Sequence, residues 1–172
     1  MKYIPLLLCL FFSALNGSAQ VTVRQSVKLL DDKNGFRDLK FGTPLSEIKG
    51  LVSVEGSTKY FTRPDDAMTV GESTIKTLVY GFYDGRLMSV RFSTEGLANS
   101  YHALQALQAS YGQGSKPNEY IEEYHWGSNK VSMNYEENPI SHDADISIFD
   151  RALFARMMAD GEKKAKAAKS DL

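Results

Sequence analysis

With 172 residues, 42% of them hydrophobic, the chain is long enough to bury one core. Its 20 basic and 21 acidic side chains leave a net charge of −1, which argues against nucleic acid, a partner that requires a basic face to release counterions. The single cysteine, Cys9, leaves everything after it without a thiol, and this excludes thiol nucleophiles, thiolate metal sites and redox motifs there.

The chain opens MKYIPLLLCLFFSALNGSAQ. Lys2, an apolar run from Ile4 to Leu15 and the small residues Gly17-Ser18-Ala19 form the pattern of a secretory signal peptide, with cleavage expected after Ala19. The run falls short of the roughly 20 apolar residues of a membrane-spanning helix, and no later stretch reaches that length. Cys9 follows Leu8, where lipid processing wants a small residue, so it reads as a thiol removed with the signal. The expected location is periplasmic or secreted.

Residues 20–34 alternate weakly at Val21 and Val23 and end in a charged cluster, predicting a short strand or an ordered arm. Thr43-Pro44 is a helix start, a capping hydroxyl followed by proline at the first helical position. Leu45, Ile48 and Leu51 then recur at spacing three, and Gly50 stops or weakens the helix. Lys59–Thr62 reads as a strand and Pro64-Asp65-Asp66 as a loop.

TIKTLVYGFYDGRLMSVRFST holds the clearest signal, Asp84-Gly85 between two β-rich runs, the mark of a type I′ hairpin. A helix follows, capped by Asn99 or Ser100, with Tyr101, Leu104, Leu107 or Gln108, and Tyr111 on one stripe and Gly112 at its end. After a linker from Gly114 to Asn118, EEYHWGSNKVSMNY predicts a second hairpin. Its parity puts Tyr120, Tyr124, Trp126, Val131, Met133 and Tyr135 on one side. Glu123, His125, Lys130, Ser132 and Asn134 take the other. ADISIFD supplies another strand, and Leu153, Phe154, Met157 and Met158 mark a C-terminal helix that frays beyond Gly161 into a Lys/Ala-rich tail.

This order predicts an α+β fold: an antiparallel sheet with helices on one face, in two loosely repeated α-β-β-β halves plus a C-terminal helix. The expected organisation is a signal peptide over 1–19, the arm over 20–34, one domain over 35–160 and the tail over 161–172.

Catalytic signatures are sparse. Glu123 lies two residues from His125 on the same face, about 6–7 Å along the strand, a solvated neighbour more than a dyad. His142, Asp143 and Asp145 cluster beside Pro139, where turns recruit such residues for local backbone bonds; a His/carboxylate metal site with His125 is the competing reading. His102 falls off the apolar stripe of its helix. No Gly-x-Ser-x-Gly, phosphate loop or dinucleotide fingerprint occurs, and no cofactor is expected.

One feature resists a bland account. Ile75, Val79, Met88, Val90 and Phe92 share a hairpin face suited to a core, yet the opposite face holds Leu78, Tyr80, Phe82 and Leu87 beside Ser89 and Arg91. A bulge near Gly81 that swaps parity accommodates this, as does cover by the arm or the C-terminal helix. The third arrangement is a partner-binding patch of Leu78, Tyr80, Phe82, Leu87 and Arg91.

GFRDLKFGTPLSEIKGL followed by YGFYDGRLMSVRF resembles a pattern in small exported bacterial proteins of unassigned role, a Gly-x-Pro helix start before a Phe-x-Asp-Gly-x-Leu hairpin. The helix-plus-hairpin order is also similar to the halves of β-lactamase inhibitor protein and of the small outer-membrane assembly lipoproteins. That resemblance implies an α/β sandwich that binds proteins and catalyses nothing. The leading expectation is therefore an exported, soluble, non-enzymatic domain binding a protein or envelope component. The alternatives are a metal-dependent hydrolase using His125 and His142, and a self-associating structural subunit.

Overall fold

The computed structural model describes residues 22–170, so the expected signal peptide and its cleavage site lie outside the described residues. The chain is α+β: an antiparallel eight-stranded sheet with helices packed to one side and a C-terminal helix.

Where an arm or strand is expected over 20–34, the structure has a helix, α1 (Val23–Lys33). Thr22 accepts a hydrogen bond from the Gln25 N–H while the Gln25 side chain accepts from the Thr22 N–H, a reciprocal capping box. Leu30 carries the buried face, and Asn34, in the left-handed region at φ 40°, closes the last turn onto the Leu30 carbonyl. Two valines two residues apart are too short a run to specify a strand against that cap.

A small hairpin follows, β1 (Gly35–Phe36) with β2 (Leu39–Lys40). The helix expected from Thr43-Pro44 shrinks to a single 3-10 turn, Leu45–Glu47. Its backbone is committed elsewhere. The N–H groups of Gly42 and Leu45 donate to the carbonyls of Leu87 and Gly85, and the Thr43 carbonyl accepts from the Leu87 N–H. Gly50, at φ 76°, then turns the chain out of any helical path.

The sheet comprises β3 (Val52–Ser53), β4 (Tyr60–Thr62), β5 (Thr69–Val70), β6 (Ser73–Tyr83), β7 (Arg86–Thr94), β8 (Glu123–Gly127), β9 (Val131–Glu137) and β10 (Ala144–Asp150). Its order is β3-β4-β6-β7-β10-β9-β8, with β5 paired to β6 off that path. Between the halves runs α2 (Gly96–Tyr111). Read outward from the β7/β10 seam, β6-β4 on one side mirrors β9-β8 on the other, with β3 added at the outer edge of the first side; α2 directly precedes its three strands, and α1 precedes the first set by way of the β1–β2 hairpin. The first helix of the repeat is thus α1 and not the Thr43 segment.

Asp84 and Gly85 both have positive φ, 50° and 67°, as the hairpin between β6 and β7 requires. Two bulges reset its parity. Ile75 opposes Thr94 and Thr77 opposes Ser93, leaving Lys76 as the extra residue; Gly81 opposes Ser89 and Phe82 opposes Leu87, leaving Met88 extra. Leu78, Tyr80 and Phe82 thereby join Leu87, Val90 and Phe92 on the inner, helix-covered face, each at most 5% exposed. Val79 moves to the outer face.

The inner face continues through Ile146, Ile148, Met133, Tyr135, Val131 and Trp126, all buried, and α2 adds Ala103, Leu104 and Leu107. Trp126 donates its indole N–H to the Gly112 carbonyl at 2.8 Å, satisfying its one polar atom in the core. Tyr120 and Tyr101, both expected on apolar stripes, are exposed at 88% and 53%. Helix α2 also starts earlier than Asn99, at Gly96, whose N–H donates to Asp143 from across the sheet.

The C-terminal helix α3 (Arg151–Ser170) runs unbroken through Gly161, where fraying is expected. It docks on the sheet through Phe154 against Phe149, ring centroids 4.8 Å apart, and through Asp160, which accepts from the Tyr83 hydroxyl. Among the described residues no helix is long and apolar enough to cross a membrane.

Candidate functional site on the open face of the sheet

The register places outer-face residues in rows that cross the strands. One row reads Val79, Arg91, Ser147, Asn134, His125 across β6, β7, β10, β9 and β8. The neighbouring row reads Thr77, Ser93, Asp145, Glu136, Glu123. These side chains alternate with the core residues on the same strands, so a rigid scaffold holds each of them.

Two grooves lie on this face and meet at Arg91 and Asp145. One, of about 360 Å³, is lined by Glu123, His125, Asn134 and Ser147. The other, of about 470 Å³, runs to Tyr60 and Val79. Arg91 is exposed, and among the described residues the side chains of Arg91, Asp145 and Glu136 make no hydrogen bond or ion pair.

His125 differs from its expected isolation. Its Nε2 lies 2.9 Å from Glu123 Oε1 and its Nδ1 lies 2.7 Å from Asn134 Oδ1. The side chains bridge the gap that the backbone spacing leaves between residues 123 and 125. Both ring nitrogens therefore have a polar neighbour on the same face.

His142 stands elsewhere. Its Nδ1 meets Glu137 Oε1 at 2.8 Å on the inner face, where Glu137 also accepts from the Tyr135 hydroxyl at 2.8 Å. Ser100 donates to the His142 carbonyl and contacts Thr94 Oγ1, so this cluster buttons α2 to the loop before β10. Burial, then Glu137, raises the Tyr135 hydroxyl above its ordinary pKa. His125 and His142 thus lie on opposite faces of the sheet and do not converge; Asp143 caps α2, and Asp145 joins the outer row. Among the described residues no three His, Cys, Asp or Glu side chains are grouped to hold a metal.

Of the expected patch, Leu78, Tyr80, Phe82 and Leu87 are buried in the core, at most 5% exposed, while Arg91 alone reaches the outer face. The physical cause is the pair of bulges. Sequence reasoning missed a second polar cluster beneath the patch: Tyr80 donates to Asp66, and Arg63 binds Asp66 at 2.7 Å through Nε and Asp38 at 3.0 and 2.7 Å. The Arg63 hydrogen bonds hold Asp38 below the usual carboxylate range, and burial followed by Asp66 raises Tyr80. This clasp ties the loop after β4 to β6 and is architectural.

No family model matches the chain, and no curated protein or solved structure matches it either.

Proposed function

We propose that the chain is an exported, non-enzymatic domain that binds a protein or envelope component on the open face of its sheet, along the row from Val79 to His125. The observation that carries this reading is Arg91, a cation unpaired among the described residues, on a rigid strand where two grooves meet. A merely solvated face needs no such convergence, and the apolar end at Tyr60 and Val79 beside the polar end at Ser147 and Asn134 offers both burial and hydrogen bonds to a partner. Separation of His142 from His125 speaks against a joint hydrolytic centre. Export rests on the opening sequence alone.

Photo-reactive residues placed at Arg91 and at Ser147 test the binding face, with exposed Gln105 on α2 as the control. The expected result is cross-linking to an envelope component from 91 and 147 and none from 105. Cross-links from 105 alone, or from none of the three, overturn the reading. Amino-terminal sequencing of the protein from a periplasmic fraction is expected to begin at Gln20; a cytoplasmic chain that retains residues 1–19 overturns export.

A further inference from the structure

A third groove, of about 470 Å³, lies between α3 and the hairpin end of β4 and β6. Its lining is mainly apolar, from Tyr60, Met157 and the edge of the largely buried Met88, beside the strand end at Phe82. Its rim is basic, with Lys59 on one side and Lys163 and Lys164 on the other. Asp160, the one acid in the lining, is already engaged by the Tyr83 hydroxyl and by Lys163 at 3.5 Å. Among the described residues neither Lys59 nor Lys164 is within ion-pair distance of an acid, and Lys164 acts on Asp160 only at longer range.

Gly161 forms part of the wall. It sits inside α3, where glycine costs about 0.5–1 kcal/mol relative to alanine. Nothing in the backbone calls for it: its φ is not positive, and an added Cβ meets no atom within 4 Å. A side chain there fits the helix and narrows the groove.

We propose that this groove binds a single-chain anionic amphiphile, a fatty-acid carboxylate, with the acyl chain on the apolar lining and the carboxylate between Lys59 and Lys164. Its concave walls on two sides suit one chain better than the flat surface of a bilayer. The inference goes beyond the proposed binding face and does not rest on it: the groove abuts that face at Tyr60 but involves neither Arg91 nor His125.

The test is titration of the full chain with sodium dodecanoate below its micelle concentration, near neutral pH, followed by calorimetry and by amide chemical shifts. Saturable binding is expected, with shifts confined to α3 and to the Lys59–Tyr60 and Phe82–Met88 strand ends. Gly161→Leu is expected to weaken binding by more than about tenfold while the thermal midpoint stays or rises. The double variant Lys59→Glu, Lys164→Glu is expected to weaken it by up to about tenfold, with high salt reproducing part of that loss. Absence of saturable binding in the wild type overturns the proposal. So does dodecanoate binding that Gly161→Leu leaves unchanged, or association with anionic phospholipid vesicles in place of the monomer.

Discussion

The two faces of the sheet are made by the same strands, one residue apart, and their chemistry is opposite. On the inner face Leu78, Tyr80, Val90, Phe92, Ile146 and Met133 are sealed by α1 and α2, and the buried ring-borne polar groups have local partners: Tyr80 with Asp66, Tyr135 with Glu137, Trp126 with Gly112. On the outer face Arg91, Asp145 and Glu136 have none among the described residues, although Asp145, Glu136 and Glu123 stand directly opposite one another on adjacent strands. Like charges so placed are mildly destabilising. The inner face is organised for stability, and the outer face carries charge that stability does not ask for.

The largest effects should therefore fall on the inner face. Phe92→Ala removes a fully enclosed ring and is expected to cost about 3–5 kcal/mol in denaturant unfolding. Glu137→Gln disturbs the Tyr135 and His142 hydrogen bonds inside the cluster and is expected to cost about 1–3 kcal/mol by the same measurement. A loss below about 0.5 kcal/mol for Phe92→Ala would erase the contrast between the faces.

Two pH dependences sharpen it. Tyr80 and Tyr135 have pKa values raised in the folded state, so the folded chain binds their protons more tightly than the unfolded chain. Their contribution is complete below the ordinary tyrosine pKa of about 10 and is lost as pH rises beyond it. Stability should fall above that pH, and a Tyr80→Phe, Tyr135→Phe variant should fall less steeply from a lower starting point. Asp38 is shifted the other way by Arg63, so its contribution is present above the unfolded carboxylate value of about 3.9 and is lost as pH falls. Asp38→Asn should flatten the acid limb, only slightly, because its side chain is 63% exposed.

The smallest effects belong to the outer face. Arg91→Ala and Ser147→Ala are expected to change stability by no more than about 0.5 kcal/mol. A larger loss at Arg91 would make it a structural residue and weaken its assignment to a binding surface.

The legible parts of this fold were those where one local constraint decides. Asp84-Gly85 declares its turn because both positions need positive φ, and the parity of the β8–β9 hairpin separates Trp126 and Tyr135 from His125 without knowledge of the register. The register itself was not legible: the partner of Trp126 is Met133, set by the connection 128–130 between the two strands. The face of Leu78, Tyr80 and Phe82 was hidden by bulges at Lys76 and Met88, each a single extra residue with no sequence mark of its own. Helix α1 was legible in principle, since Thr22-x-x-Gln25 is a capping box, but the valine alternation beside it carried the reading. The Thr43-Pro44 helix failed because its backbone donors are claimed by Leu87 and Gly85, partners some 40 residues away that no local pattern announces. The outer row was likewise beyond reach, because it depends on how five strands align.

The most direct test of the two-faced sheet uses thiol labelling in a Cys9→Ser background, with single cysteines at neighbouring positions: Arg91→Cys and Ser147→Cys for the outer face, Val90→Cys and Ile146→Cys for the inner. Under native conditions the outer pair should react at the rate of an exposed thiol, and the inner pair about a thousandfold slower or more, limited by opening of the core. Equal rates within each neighbouring pair, or protection at 91 and 147 with fast reaction at 90 and 146, would contradict the account.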